Sequence, residues 1–199
     1  MTKRIILASS SPRRRQLLKS AGIEFDIIYP EVEEDIYNAE ISPSEYSLEL
    51  SRKKGLSASQ SADKNSIIIS ADTVVVSGGR VFGKPGSEKE SFEMLTSLSS
   101  KTHEVITAFC VMDGEKKELH SECVKTQVTF KTLASWEIEG YIKTKEPMDK
   151  AGSYAIQGIG SFMIKRIDGS YTNVVGLPLS NLVDVLKNLG LTDLFHFKP

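Results

Sequence analysis

The chain has 199 residues, and its 25 lysines and arginines against 26 aspartates and glutamates give a net charge of -1. Proteins that bind nucleic acid or anionic membranes usually have a basic surface, so this balance argues against both partners. The sequence has no apolar stretch approaching about 18 residues, and its N-terminus lacks the apolar core of a signal peptide. We therefore expect a cytoplasmic protein that folds as a single domain over residues 1–199.

Apolar periodicity and turn residues predict strands that alternate with helices in the first part of the chain. The predicted strands cover residues 5–8, 25–29, 66–71, 103–112, 123–130 and 161–167. The predicted helices cover residues 12–21, 44–58, 87–98, 135–143 and 179–189. Turn residues at 77–80 and 113–116 each predict a hairpin. Strands separated by helices, followed by strands that pair locally, indicate an α/β fold with a mixed sheet.

The first strand leads through the turn Ser9-Ser10-Ser11 into a helix that starts with Pro12, Arg13 and Arg14. Ser11 is a good N-cap, and Pro12 is a favourable first helical residue. Because a helix N-terminus is partly positive, two arginines in its first turn are disfavoured unless an anion lies there. The pattern favours a phosphate site made of backbone N–H groups, serine hydroxyls and guanidinium groups. A solvated basic turn is the alternative.

A second candidate is Asp72, which follows the predicted strand 66–71, where open α/β sheets place their ligands. Such a carboxylate can bind a divalent cation or accept a proton from water, and a turn-capping aspartate is the alternative. The acidic run 31–35 follows the preceding strand. One of its carboxylates can help Asp72 hold magnesium or manganese, although most such runs are solvated loops.

Basic and amide side chains complete the candidates. Lys54 lies on the second predicted helix and Lys84 follows Gly83 in a turn, so each fits a phosphate ligand or an ordinary surface lysine. Gln157 lies in a glycine-containing stretch, and its amide has the donor and acceptor needed to read a base edge. The pair Asp149-Lys150 fits an internal ion pair and a phosphate environment equally well.

The two cysteines and three histidines form no disulfide or metal-binding pattern. Cys110 and Cys123 lie in strand-like runs without close spacing, so we expect two reduced thiols. The histidines at 103, 120 and 196 have no HExxH or CxxC companion, which argues against a structural zinc site.

Taken together, these segments resemble the Maf family of nucleoside triphosphate pyrophosphatases. The residues that carry the resemblance are Leu7-Ala8-Ser9-Ser10-Ser11-Pro12-Arg13-Arg14, Val32-Glu33-Glu34, Ala71-Asp72-Thr73, Gly83-Lys84-Pro85, Asp149-Lys150-Ala151-Gly152 with Tyr154-Ala155-Ile156-Gln157-Gly158, and Gly169-Ser170-Tyr171 with Val174-Val175-Gly176-Leu177-Pro178. These motifs follow one another through nearly the whole chain, which makes the resemblance highly specific.

The resemblance implies a curved mixed β-sheet flanked by helices, with two lobes around a central cleft, in a fold related to that of inosine triphosphatases. It implies hydrolysis of a nucleoside triphosphate to the monophosphate and pyrophosphate, with a divalent cation, magnesium or manganese, as cofactor. A nucleoside triphosphate is then the expected partner, and the choice between monomer and homodimer stays open.

The resemblance also implies a role for each matching position. Asp72 matches the family's proton acceptor or metal-binding aspartate, and Glu34 matches the acidic partner of that metal. The phosphate-contacting positions are matched by Ser9, Arg13, Arg14, Lys54 and Lys84. The branches of the family differ at the positions of Arg13, Thr73 and Gln157, and this combination resembles the branch that acts on dTTP and UTP.

One departure affects the second helix, where the family usually has Lys-Ala and this chain has Lys53-Lys54-Gly55. We expect Lys54, not Lys53, to be the site lysine. Two other functions stay open: an enzyme of related fold that acts on inosine or xanthosine triphosphate, and a regulator of cell division that binds nucleotide without turnover. The arginine pair and the Gln157 segment fit the first of these poorly.

Overall fold

A computed structural model describes residues 3–33, 37 and 40–191 of the chain. Its strands are β1 (Arg4–Ala8), β2 (Asp26–Ile28), β3 (Ser66–Ser77), β4 (Arg80–Phe82), β5 (Thr102–Asp113), β6 (Glu118–Phe130) and β7 (Ile164–Asp168). Its α-helices are α1 (Pro12–Ser20), α2 (Pro43–Ser59), α3 (Glu88–Leu98), α4 (Ser135–Lys143), α5 (Tyr171–Val175) and α6 (Leu179–Asn188). Short 3-10 turns cover Glu146–Asp149, Ala151–Ser153 and Ile159–Met163.

The strands form a sheet in the order β2-β1-β3-β5-β6-β7, with β4 paired to β3. β1 runs parallel to β2 and to β3, whereas β4 is antiparallel to β3 and β7 is antiparallel to β6. The predicted α/β fold with a mixed sheet is therefore confirmed.

The chain divides into two compact units. Unit 1 contains residues 1–72, 107–124 and 176–199, and unit 2 contains residues 73–106 and 125–175. The long strands β3, β5 and β6 each pass from one unit into the other. Within the described part of the chain, no helix is both long enough and apolar enough to cross a membrane.

The core of unit 1 lies where β1 and β3 pack against α2. Both strands are almost continuously buried, as expected for parallel strands covered by helices. Apolar residues from several elements form a cluster there, namely Ile6, Ala8, Ala58, Ile68, Cys110 and Met112. Burial raises the pKa of the Cys110 thiol to about 12, and no disulfide joins Cys110 to Cys123. The reduced cysteines that the sequence predicts are therefore present.

The core of unit 2 is built around α3, α4 and the strands β5 and β6. Its largest buried side chains include Leu95, Leu98, Phe130 and Tyr141. The two hairpins lie where the turn residues predict them. In the β3–β4 hairpin, Gly78 and Gly79 both have positive φ, of 57° and 77°, which is the backbone that a tight two-residue hairpin turn requires.

Three predicted strand boundaries are wrong, and one short helix is not predicted at all. The strand predicted for 123–130 begins earlier, at Glu118. The strand predicted for 66–71 continues to Ser77, because β-branched residues at 73–76 extend the apolar run. The strand predicted for 161–167 begins only at Ile164, since the preceding residues form a 3-10 turn. The short helix α5 carries no sequence signal that distinguishes it from a loop.

A buried histidine in unit 2 gives the first testable prediction. The His103 Nε2 atom lies 2.7 Å from the Tyr154 hydroxyl, and its ring packs edge-on against Phe130. Burial lowers the pKa of His103 to about 4. In the unfolded chain His103 becomes protonated as the pH falls below about 6.5, whereas in the folded chain it stays neutral down to about pH 4. The contribution of neutral His103 to the free energy of unfolding is therefore complete above about pH 6.5 and is lost as the pH falls toward 4.

We expect the free energy of unfolding to fall by about 2 kcal/mol between about pH 7.5 and about pH 5 on account of His103. The His103→Gln variant keeps a polar group opposite Tyr154 but does not titrate, so its loss should be smaller by that amount. Urea denaturation of both proteins at the two pH values measures the difference. Equal pH dependence in the two proteins would contradict the assignment.

Candidate active site

Two serine hydroxyls organise the turn between β1 and α1 in unit 1. Ser9 is only 3% exposed, and its Oγ accepts a hydrogen bond from the Ser11 backbone N–H at 3.1 Å. The Ser11 Oγ in turn accepts from the Arg14 backbone N–H at 3.4 Å, and Pro12 occupies the first turn. The predicted N-cap and start of α1 are thus confirmed. The serines fix the direction in which the helix N-terminus points.

The arginines of the first turn are half-buried, which excludes the fully solvated basic turn. The Arg14 Nε donates to the Gly176 carbonyl oxygen at 2.7 Å, and one of its terminal nitrogens lies 3.4 Å from the Ser9 Oγ. Both partners belong to unit 1. Arg13, also half-buried, lies beside Arg14 on the same helix turn. Arg14 therefore joins two of the motifs that the sequence singles out.

A buried ion pair connects α2 to β3. The Lys54 Nζ lies 2.6 Å from the Asp72 Oδ1, and only 12% and 9% of the two side chains are exposed. Lys53, by contrast, forms an exposed pair with Glu49 one turn earlier on the same helix, at 3.0 Å. Of the two adjacent lysines, the structure therefore brings Lys54 to the aspartate.

Gly55 explains how α2 comes so close to the sheet. A Cβ atom built at this position would lie 2.9 Å from the Ser70 Oγ and 3.0 Å from the Met112 Sδ. The Ser70 hydroxyl has little freedom to move, because it donates to the Ser51 carbonyl oxygen at 2.6 Å. The glycine that departs from the family pattern thus allows the close packing that places Lys54 beside the strand.

The sequence predicts that the strand ends just before Asp72, but in the structure Asp72 lies within β3. The parallel pairing of β3 with β1 stops at Ser70, which is opposite Ala8. Ser9 follows Ala8 directly, so Ser9 and Asp72 both lie just beyond the last paired residues of adjacent strands. Adjacent strands are about 4.8 Å apart, which makes the serine turn and the Lys54–Asp72 pair neighbours in unit 1.

Of the two predicted metal ligands, Asp72 lies within the described residues. Glu34, predicted to be the acidic partner of Asp72, lies outside the described residues. Among the residues that are described, no three histidine, cysteine, aspartate or glutamate side chains are close enough together to hold a metal ion. Asp72 nevertheless fits magnesium or manganese, since these ions commonly bind one or two carboxylates together with substrate phosphates. Asp72 thus belongs to no cluster of three or more such side chains within the described chain.

Unit 2 holds the remaining candidates. Lys84 is exposed and follows β4, and the preceding Gly83 carbonyl oxygen accepts from the Gly152 N–H at 3.0 Å. This bond ties the Lys84 turn to the segment that contains Asp149 and Lys150. The Lys150 Nζ donates to the Asp149 carboxylate at 2.6 Å, and Lys150 is 9% exposed. The predicted ion pair between Asp149 and Lys150 is therefore present, with the Lys150 side chain 10% exposed and the Asp149 side chain 61% exposed.

The two remaining predicted residues, Thr73 and Gln157, are half-buried. Thr73 follows Asp72 on β3 and is the first residue of unit 2. Gln157 lies in the loop before the 3-10 turn Ile159–Met163. Sequence reasoning missed Tyr141 and Glu146, which contact this loop, because a buried tyrosine on a helix and a single glutamate carry no local signal of their own.

The geometry of Arg14 gives a second prediction. Arg14→Ala removes a charge-assisted hydrogen bond to the carbonyl oxygen of buried Gly176, so we expect it to lower the free energy of unfolding by about 1.5–3 kcal/mol. Arg15→Ala is the matched control, since the Arg15 Nε is buried without a hydrogen-bond partner. Urea denaturation measures both variants. Equal losses would show that the bond to Gly176 contributes nothing specific.

A sequence profile and two similar proteins identify the family of this chain. The sequence profile described as "Maf-like protein" matches residues 4–189. A dTTP/UTP pyrophosphatase of Geobacter sulfurreducens is 46% identical over 187 residues, which cover 94% of this chain and 97% of that protein. A dTTP/UTP pyrophosphatase of Bacillus cereus is 48% identical over 196 residues, with 98% and 93% covered. Among solved structures, the Staphylococcus aureus Ham1 protein aligns with a TM-score of 0.44 at 14% identity, over 96% of this chain and 100% of that one.

Proposed function

This chain belongs to the Maf family, and from that premise we propose that it is a nucleoside triphosphate pyrophosphatase that hydrolyses dTTP and UTP. The observation that carries the proposal is the 46–48% identity to dTTP/UTP pyrophosphatases over nearly the full length of both chains. The buried Lys54–Asp72 pair next to the serine turn supports it, because this hydrolysis uses a carboxylate to accept a proton and nearby cations to bind the phosphates.

In the proposed reaction, water attacks the α-phosphorus and its proton passes to the Asp72 carboxylate. The bond from the α-phosphorus to the oxygen that bridges to the β-phosphorus breaks, and pyrophosphate leaves with that oxygen. Phosphoryl transfer of this kind depends mainly on positioning and on charge stabilisation. We assign these tasks to the hydroxyl of Ser9 and to the cations Arg13, Arg14, Lys54 and Lys84.

A divalent cation, magnesium or manganese, is part of the proposal. Asp72 would hold it together with the phosphates, and the cation would neutralise charge on the leaving pyrophosphate. Lys54 balances the charge of the same carboxylate in the protein alone. We also propose that the protein acts in the cytoplasm, where its substrates are found and where cysteines without a disulfide, such as Cys110 and Cys123, stay reduced.

Base recognition is assigned to Gln157 and Thr73. Uracil and thymine present one N–H between two carbonyl oxygens, and a glutamine amide can accept from the N–H while it donates to one oxygen. Cytosine has an amino group and an unprotonated ring nitrogen instead, so the same amide would be mispaired. Arg13 is the third position at which the family's branches differ, and we assign it to the discrimination as well.

A panel of nucleotides tests the proposal. Pyrophosphate release is measured for UTP, dTTP, CTP, ATP and GTP, each with and without magnesium or manganese. We expect UTP and dTTP to be the best substrates and to lie within about tenfold of each other, since a single methyl group adds little discrimination in a pocket. CTP should be slower, the purine nucleotides slower still, and turnover should require the cation.

Two results would contradict separate parts of the proposal. A purine triphosphate as the best substrate would overturn the assignment to dTTP and UTP but would leave the chemistry intact. Release of inorganic phosphate in place of pyrophosphate would overturn the chemistry itself.

A further inference from the structure

The loop that carries Gln157 is held by one carboxylate on its C-terminal side. The Glu146 Oε2 accepts from the Ile159 backbone N–H at 3.2 Å, and the Glu146 Oε1 accepts from the Gly160 N–H at 3.1 Å. The Tyr141 hydroxyl also donates to the Glu146 Oε1, at 3.0 Å. Three donors on one carboxylate make a strongly directional anchor, because hydrogen bonds to an ionised acceptor are stronger than neutral ones.

The same pair holds the loop on its N-terminal side. The Ala155 backbone N–H donates to the Tyr141 hydroxyl at 3.3 Å. Tyr141 itself is 2% exposed on α4, so its position is fixed by the core of unit 2. Gln157 therefore lies between two backbone attachments, at Ala155 and at Ile159, that converge on Tyr141 and Glu146.

The loop backbone also presses directly on these two side chains. Gly158 has a φ of +73°, and a Cβ there would lie 2.9 Å from the Glu146 Oε2. A Cβ at Gly160 would lie 2.7 Å from the Tyr141 hydroxyl oxygen. Gly158 and Gly160 lie on either side of the attachment at Ile159, and side chains at these two positions would clash with Glu146 and Tyr141.

We propose that Glu146 and Tyr141 are positioning residues that set the pyrimidine preference of the enzyme by fixing the Gln157 loop. This inference rests on the proposed function, in which the Gln157 amide pairs with uracil or thymine. Neither residue touches the base; each acts through the backbone of residues 155–160. A loose loop would allow the amide to rotate or withdraw, and the enzyme would then distinguish UTP from CTP less well.

The test compares kcat/KM for UTP and CTP in single and double variants. Glu146→Gln keeps the side-chain shape but turns one acceptor into a donor that faces N–H and O–H groups. Tyr141→Phe removes only the hydroxyl and retains the ring in the core. We expect each of these two variants to lower the ratio of kcat/KM for UTP to kcat/KM for CTP by about fivefold or more. The value of kcat/KM for CTP itself should change less than that for UTP. Glu137→Gln is the matched control, because the Glu137 carboxylate accepts from Lys131 and from the Ala134 N–H, and neither donor belongs to the loop.

A double variant separates positioning from general damage. In a Gln157→Ala background, which has already lost the amide, Glu146→Gln should cause no further loss of the UTP-to-CTP ratio. This coupling is the signature of a residue that acts through Gln157. Thermal denaturation of each variant, followed by circular dichroism, accounts for loss of folded protein. Should Glu146→Gln fail to fold, Tyr141→Phe carries the same comparison.

The inference and the proposed function fail in different ways. If the ratio falls in Gln157→Ala but stays at the wild-type value in Glu146→Gln and Tyr141→Phe, the positioning role is wrong and the proposed function stands. If these two variants lost kcat/KM equally for UTP and for CTP, Glu146 and Tyr141 would have only a structural role. A wild-type protein that shows no preference for UTP would overturn the base assignment and this inference with it.

Discussion

Asp72→Asn is expected to reduce pyrophosphate release by about 100-fold or more while the protein stays folded, because the loss of a general base alone costs that much. Asparagine keeps the shape of the side chain and can still accept a hydrogen bond from the Lys54 ammonium, which lies 2.6 Å from the carboxylate. It lacks the negative charge needed to take a proton from water or to hold a cation. The measurement is steady-state turnover of UTP with magnesium, next to a denaturation curve.

Asp26→Asn is the matched control for this change. Asp26 belongs to the same unit and pairs with Arg4 at a similar distance, 2.7 Å, but on the surface. It should leave turnover unchanged. If Asp72→Asn retained more than about a tenth of the wild-type rate, its assigned role would be wrong.

Lys54→Met is expected to cost both stability and activity. Removal of one partner of a buried ion pair leaves an uncompensated charge, which typically costs about 3–5 kcal/mol. Since both side chains retain some exposure, we expect a value near the lower end, about 3 kcal/mol. Turnover should also fall, because Lys54 is one of the cations assigned to the phosphates.

The neighbouring lysine supplies the control. Lys53→Met breaks an exposed pair with Glu49, and such pairs on a helix are worth only about 0.3–0.5 kcal/mol. Addition of Asp72→Asn to Lys54→Met should restore part of the lost stability, because the buried charge is then removed. If the two lysine variants were equally stable, the Lys54–Asp72 pair would not act as a buried ion pair.

Local sequence rules predict the elements of the fold well where local chemistry decides them. Ser11 and Pro12 specify the start of α1, and the glycines at 78 and 79 specify the β3–β4 turn. The position of Asp72 is harder to predict, because the β-branched residues 73–76 fit a new strand as well as a continuation of the strand before Asp72. Tertiary pairing decided between these, because β4 pairs with β3 beyond Asp72.

The site required information that no local pattern contains. Lys53 and Lys54 lie about 100° apart around α2. The side of the helix that packs closely at Gly55 against Ser70 lies next to the strand, and Lys54 is the lysine that reaches Asp72. The family resemblance supplied the expectation, and the close approach at Gly55 supplies its physical cause. The role of Glu146 could not be predicted from the sequence, because no local pattern brings the Tyr141 hydroxyl and the N–H groups of Ile159 and Gly160 to one carboxylate.

The most direct test of the proposed chemistry is turnover of UTP in water enriched in oxygen-18, followed by mass spectrometry of both products. Attack of water on the α-phosphorus places one labelled oxygen in the nucleoside monophosphate and none in pyrophosphate. The Asp72→Asn variant should yield almost no labelled product. Label in pyrophosphate, or the appearance of a nucleoside diphosphate with labelled phosphate, would show that another phosphorus is attacked and would contradict the account.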